Sequence, residues 1–129
     1  MALLAPVVAT SRQVAATSSR SAKVRLLADL LRTLETEELE ITVLYLSGET
    51  RQGRIGIGYS TLSTCVDHAA AEPSLRIIEV DRILGELAAT RGAGSAARRG
   101  AALRALFGRA TSDEQEFLMR LLVGELRQG

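Results

Sequence analysis

Side chains that carry covalent or metal chemistry are scarce in this 129-residue sequence, which has one cysteine (Cys65), one histidine (His68) and one lysine (Lys23). A single cysteine excludes an internal disulfide and any multi-cysteine zinc site and fits a reducing cytosol; Cys65 is expected to be a small buried hydrophobe. Cys65 and His68 are three residues apart and would share a helical face, but without a second histidine they make neither a metal site nor a Cys-His catalytic pair. Aromatic residues make up only 3% of the chain. No apolar run approaches the roughly 20 residues that cross a bilayer. Residues 1–10 have no basic segment ahead of their apolar residues and include Pro6, a poor pattern for a signal peptide. A cytoplasmic protein with no membrane contact is expected.

What is present has the composition of one globular domain: 13.8 kDa, 47% hydrophobic and 24% charged. Sixteen basic and 15 acidic residues leave a formal charge of +1, so net charge names no partner. All the bases except Lys23 are arginine. Arginine does not deprotonate and makes a poor general base, but its planar fork suits phosphate and carboxylate. A GC-rich genome would produce the same skew without any functional cause.

The neutral total hides an internal repeat. Shifting the sequence by 76 lays residues 19–53 over 95–129 without a gap, with 11 identities in 35 positions, where composition gives about three by chance. The densest stretch sets Leu46-Ser47-Gly48-Glu49-Thr50-Arg51-Gln52-Gly53 against Leu122-Val123-Gly124-Glu125-Leu126-Arg127-Gln128-Gly129. Charge follows the same register. Residues 19–33 sum to +3 and 95–109 to +4, whereas 35–49 sum to −5 and 111–125 to −3.

Each unit reads as two helices, giving an all-α domain with an internal repeat of helix pairs. In the second unit Ser95 is the expected N-cap, and Leu103, Leu106, Phe107 and Ala110 recur at helical spacing on one face. Ser112 and Gln115 form the expected capping box of the next helix, with Asp113, Glu114 and Glu116 at its positive end and Gly124 closing it. In the first unit Ser19 precedes Val24, Leu27, Leu31 and Leu34, and Thr36 precedes Glu37 and Glu38, which read as a solvated, dipole-compensating helix start. The run 41–46 is ambiguous between buried strand and helix; its repeat partner, 117–122, is rich in helix formers and decides for helix. Both second helices are apolar nearly all round and are expected to lie centrally. Residues 59–71 and 81–90 read as shorter helices, the latter capped by Asp81, with 75–80 extended after Pro73.

Paired acids thus find a structural explanation. The pattern Gly53-Arg54-Ile55-Gly56-Ile57-Gly58 follows a helix and lacks the Lys-Ser/Thr pair of a nucleotide loop. Phosphate binding fits better. Gly92-Ala93-Gly94-Ser95 leads into a helix start with Arg98 and Arg99 in its first turn, and Thr17-Ser18-Ser19-Arg20 with Lys23 brings hydroxyls, amides and cations to another. Arg51 and Arg127 stand in glycine-permitted turns beyond helix ends. A structural alternative applies to each: Gly48 and Gly124 as ordinary C-caps, Arg51 and Arg127 satisfying terminal carbonyls.

Gly92-Ala93-Gly94-Ser95, Arg98-Arg99, Leu106-Phe107 and the terminal stretch Phe117-Leu118-Met119-Arg120-Leu121-Leu122-Val123-Gly124-Glu125-Leu126-Arg127-Gln128-Gly129 resemble the N-terminal DNA-binding domain of ATP-dependent DNA ligases, in an actinobacterial-looking branch. Ala16-Thr17-Ser18-Ser19-Arg20, Tyr45-Leu46-Ser47-Gly48-Glu49 and 52–58 fit the same domain. The resemblance runs from about residue 14 to the end and departs over 60–78. It implies an all-helical domain with internal pseudo-two-fold symmetry that grips nicked duplex DNA across the minor groove, mainly through phosphates. Contacts are then expected at Thr17, Ser18, Arg20, Gly48, Arg51, Gly53, Gly94, Ser95, Arg98, Gly124, Arg127 and Gly129. The family's adenylated lysine lies in a Lys-x-Asp-Gly motif, whereas Lys23 precedes Val24-Arg25-Leu26. The resemblance therefore implies a non-catalytic N-terminal portion, cut short at Gly129, of a parent that uses ATP and Mg²⁺ to seal 3′-hydroxyl/5′-phosphate nicks in replication, recombination and repair.

Two other readings compete. Paired helices with apolar second members also describe a helical-repeat module that binds another protein. A helix-turn-helix regulator fits less well, because 91–106 offers few Asn or Gln side chains to read bases. Truncation also leads to the expectation that residues 113–126 expose apolar faces and drive self-association.

Overall fold

The computed structural model describes residues 1–124. Among them it is all-α: α1 (Ala5–Ala16), α2 (Arg20–Leu31), α3 (Thr36–Leu46), α4 (Tyr59–Cys65), α5 (Ile77–Ala89), α6 (Ser95–Gly108) and α7 (Ser112–Val123). The expected helix pairs are α2–α3 and α6–α7, and 41–46 is helical. Adding 76 to the bounds of α2 and α3 reproduces those of α6 and α7 to within one residue.

Helix α1 has no counterpart in the sequence reading. Pro6 stands in its first turn, where a missing N–H costs nothing, and Val7, Val8, Ser11 and Val14 form its buried face. The segment before it is tied down by backbone bonds, with Leu4 N donating to Leu75 O (2.8 Å) and Ile77 N to Ala2 O (3.0 Å). Helix α1 packs along α2 and against α3 and α7, while α5 packs on α3 and α6, and α4 on α6 and α7. The core runs through all seven helices, with Leu4, Ile41, Tyr45, Leu62, Leu84, Leu103, Phe107 and Leu118 among its buried side chains.

Several helix starts differ from expectation. The cap of α7 is Thr111 in place of Ser112: its Oγ1 accepts from Glu114 N (3.3 Å) while Glu114 Oε1 accepts from Thr111 N (2.8 Å). Helix α3 is capped in the same way by Glu35 and Glu38, 76 residues earlier. Glu38 is therefore not solvated. It is 3% exposed, and its other oxygen accepts from Ala2 N at 2.7 Å. Both caps lie one residue before the expected ones, because adjacent cap-capable residues (Glu35-Thr36, Thr111-Ser112) offer two registers for the same motif. Gly94, with φ 77°, caps α6 and Ser95 begins it; Ser19 does cap α2, accepting from Ala22 N.

Helix α5 begins at Ile77, four residues before Asp81, so Asp81 is mid-helix and not a cap. Helix α4 ends at Cys65, which is buried, and exposed His68 lies beyond it. In α2 the buried position is Leu30; Val24, expected on the inner face, is 60% exposed. In α7, Phe117, Leu118 and Leu121 are buried, so the apolar face expected to be open is largely closed within the described residues.

Two stability measurements follow. Thr111→Ala removes the α7 cap and is expected to cost about 1 kcal/mol in chemical denaturation. Lowering the pH should also destabilise the fold. Bonds from the Ala2 and Glu35 amides hold the Glu38 carboxyl below its usual range, and the Arg109 guanidinium, with the Arg76 amide, does the same for Glu79. Both carboxyls bind protons more weakly folded than unfolded, so their stabilisation is complete above about pH 5 and is lost as pH falls through the lowered folded values. Thermal melts between pH 7 and pH 3 should show a steady fall in Tm in the acid range; an unchanged Tm there would contradict these assignments.

Candidate nucleic-acid interface

Four glycines of the expected contact set have positive φ, a conformation that disfavours a side chain: Gly48 (84°), Gly53 (69°), Gly94 (77°) and Gly124 (82°). Gly48 and Gly124 end α3 and α7 as the repeat implies. The Gly48 amide donates to Tyr45 O (3.0 Å) and the Gly124 amide to Leu121 O (3.3 Å). The ends of both helices line one cleft of about 380 Å³ whose wall includes Gly48, Gly53, Arg54, Ile55, Leu122 and Gly124. Gly48 and Gly124, 76 residues apart in sequence, thus meet in space. Arg127 and Gly129 lie outside the described residues.

The basic start of α6 adjoins this cleft, since Arg99 Nη2 donates to Ile55 O at 2.8 Å. Arg98 folds back on its own turn, donating to Ala93 O and Arg91 O, both at 3.0 Å, and remains exposed. Ser95 is half-buried and its amide donates to Gly92 O. Thr17 and Ser18 lie in the turn between α1 and α2, Arg20 begins α2, and none of the three is part of the cleft wall. Thr17 Oγ1 accepts from Ser19 N, so one expected hydroxyl shapes its own turn.

Arg51 has a different role from the one expected of a free cation. Its side chain is 32% exposed and reaches three carboxylates. Nε donates to Asp81 Oδ1 (3.1 Å) and Nη2 to Asp81 Oδ2, while Glu37 and Glu40 stand 3.5 Å from the guanidinium. Gln52 Nε2 also donates to Asp81, to the carboxylate and to the backbone oxygen, each at 3.1 Å. Burial pushes the Asp81 carboxyl up, but the bonds from Arg51 and Gln52 and the Arg51 charge outweigh it and hold the value below the usual range. The bond to Asp81 likewise raises Arg51. Burial, reinforced by the charge of Asp81, raises the phenol of neighbouring Tyr45.

The arginines therefore divide into two groups. Arg12, Arg32, Arg51, Arg82 and Arg109 are paired with carboxylates. Among the described residues no carboxylate lies within ion-pair distance of Arg20, Lys23, Arg25, Arg54, Arg76, Arg91, Arg98, Arg99, Arg104 or Arg120. Of these, Arg20 and Lys23 stand at the start of α2, Arg54 follows Gly53, and Arg91, Arg98 and Arg99 flank the turn into α6, while Arg25, Arg104 and Arg120 lie within helices and Arg76 precedes α5. Arg54, on the cleft wall, was absent from the expected contacts, although its position between glycines in a short basic strip was a usable signal. Asp81 was missed as an anchor; its place among Ile77, Val80 and Leu84 on the buried stripe of α5 could have revealed it.

Among the described residues no group of three His, Cys, Asp or Glu side chains is placed to hold a metal ion, and Lys23, on α2, is followed by Val24-Arg25-Leu26. Nor is any described helix long and apolar enough to cross a membrane.

Residues 64–129 match the family model described as DNA ligase N terminus. The chain is 54% identical over 127 residues to a probable DNA ligase of Nocardia farcinica, covering 98% of this chain and 24% of that protein. It is 51% identical to a probable DNA ligase of Mycolicibacterium gilvum and 48% identical to one of Anaeromyxobacter, in each case over 98% of this chain and 25% of the relative. The chain thus spans about a quarter of the length of these relatives. Since the match to the family model extends over half of the residues and runs through α5, α6 and α7, this chain belongs to the DNA ligase N-terminus family.

Proposed function

We propose that the chain grips nicked double-stranded DNA, independently of sequence, as the N-terminal domain of an ATP-dependent DNA ligase. The observation that carries this reading is that six unpaired cations, Arg20, Lys23, Arg54, Arg91, Arg98 and Arg99, stand beside glycine turns and helix starts, where backbone can approach a phosphate closely. Phosphate contacts position a protein without reading bases, and the scarcity of Asn and Gln along α6 fits that.

The recurring helix bounds, the paired capping boxes and the reciprocal packing of α1 on α7 and α5 on α3 support a pseudo-two-fold arrangement. A pseudo-dyad would set the Gly48–Gly53 turn and the turn after α7 against the two antiparallel strands across the minor groove. The parent enzyme would supply the chemistry elsewhere, sealing a 3′-hydroxyl to a 5′-phosphate with ATP and Mg²⁺ during replication, recombination and repair, in the cytoplasm at the nucleoid. Thr17, Ser18, Arg20, Gly48, Gly53, Arg54, Gly94, Ser95, Arg98 and Gly124 form the proposed surface, Arg51 shapes the Gly48–Gly53 turn from within, and Arg127 and Gly129, outside the described residues, are proposed as further contacts.

Fluorescence anisotropy with a labelled nicked duplex tests this reading. Binding at low salt, with equal affinity for unrelated sequences, is the expected result. No binding at low salt, or strong sequence preference, would overturn it.

A further inference from the structure

We infer that Asp81, on α5, is a positioning residue that holds the Gly48–Gly53 turn in the shape that meets DNA. The inference rests on the DNA-gripping reading and gives a role within it to a group that does not touch DNA. Asp81 is 6% exposed, and its carboxylate is shared by two donors from consecutive residues of the turn, Arg51 and Gln52. Its backbone oxygen takes a further bond from Gln52. One helical turn on, Gln52 Nε2 lies against Gly85, 3.6 Å from where a Cβ would stand, an ordinary van der Waals distance. The strap joins segments 29 and 30 residues apart in sequence.

The turn needs an anchor. Two glycines with positive φ bracket it, and its own cross-links are the bonds from Thr50 Oγ1 to Gly53 O and from Gly53 N to Thr50 O. Glycine leaves such a segment many alternative shapes. The Asp81 strap selects one, with Gly48, Gly53 and Arg54 on the cleft wall. The Arg51 guanidinium also offsets part of the negative charge that Glu37, Glu40 and Asp81 place beside a surface meant for a polyanion.

Charge alone and positioning predict opposite signs. Asp81→Asn removes a negative charge near the surface and frees Arg51, so simple electrostatics calls for tighter DNA binding. Positioning calls for weaker binding. The experiment measures affinity for a nicked duplex with the whole chain, its Asp81→Asn variant and its charge-neutral Gln52→Ala variant, each checked for fold by circular dichroism. We expect Asp81→Asn to lose about five- to tenfold in affinity and Gln52→Ala about threefold, the size of lost fixed hydrogen bonds. In ¹H–¹⁵N spectra the Gly48 and Gly53 amides should shift in both variants while Gly94 stays in place. Wild-type or tighter binding by Asp81→Asn, with Gln52→Ala unchanged, would overturn the positioning role and leave the DNA reading standing. If Asp81→Asn unfolds, Gln52→Ala decides: weaker binding supports the role and unchanged binding overturns it. Failure of the unmodified chain to bind DNA would overturn both.

Discussion

Replacing Phe107 with alanine is expected to lower the unfolding free energy by about 3–5 kcal/mol, the range for removing a fully buried aromatic ring and leaving a cavity. Phe107 is fully buried on the inner face of α6, beside Leu103, Leu106 and Ala110. Its carbonyl accepts from Ala110 N and from Gln115 Nε2 (2.9 Å), so the α6–α7 corner is built around this residue. A loss of this size is a large part of the whole stability of an ordinary domain. Urea denaturation followed by circular dichroism measures it. A change below about 1 kcal/mol would mean that the corner is not packed as described.

That corner was legible in the sequence because several local signals agreed: the 103, 106, 107, 110 stripe, a hydroxyl-acid cap and a closing glycine. The first unit was less legible. Val24 has the right spacing and the right chemistry yet is exposed, because α2 packs mainly on α1 and Leu30 takes the buried position. Helix α1 escaped notice because residues 5–16 contain only one charged residue and no polar N-cap, so its apolar face lacks the contrast that marks an amphipathic helix. Asp81 was misread for a related reason: an acid ahead of an apolar run looks like a cap, and only the tertiary pairing with Arg51 shows why a charge sits in mid-helix.

The second large effect concerns DNA. A variant carrying Arg20→Ala, Arg54→Ala and Arg98→Ala together is expected to lose about two to three orders of magnitude in affinity at 0.1 M salt. Each lost phosphate contact removes about 0.9 from the logarithmic salt slope, and three such contacts account for a loss of that size. The loss should be equal on unrelated duplexes, since phosphates carry no sequence information. The matching change in the paired group, Arg12→Ala, which faces Asp113 and Glu116, should leave affinity within about twofold, as befits an exposed ion pair away from the surface. Equal losses in the two experiments would show that the division of cations has no bearing on binding.

Sequence spacing points to most of the proposed surface through the glycines and helix starts, because positive φ and free amides are local properties. It did not separate Arg51 from Arg54. Three positions apart and similar in sequence context, one is bound by α5 and two acids of α3, and the other lies on the cleft wall with no carboxylate at ion-pair distance among the described residues. Which arginine is available depends on where carboxylates from distant segments arrive, and that is settled by packing.

The most direct test of the central claim is the salt dependence of binding to two nicked duplexes of unrelated sequence. The account predicts parallel lines of log affinity against log salt, with a shared slope of about −4 or steeper from several neutralised phosphates. A flat line, or lines that diverge between the sequences, would contradict it.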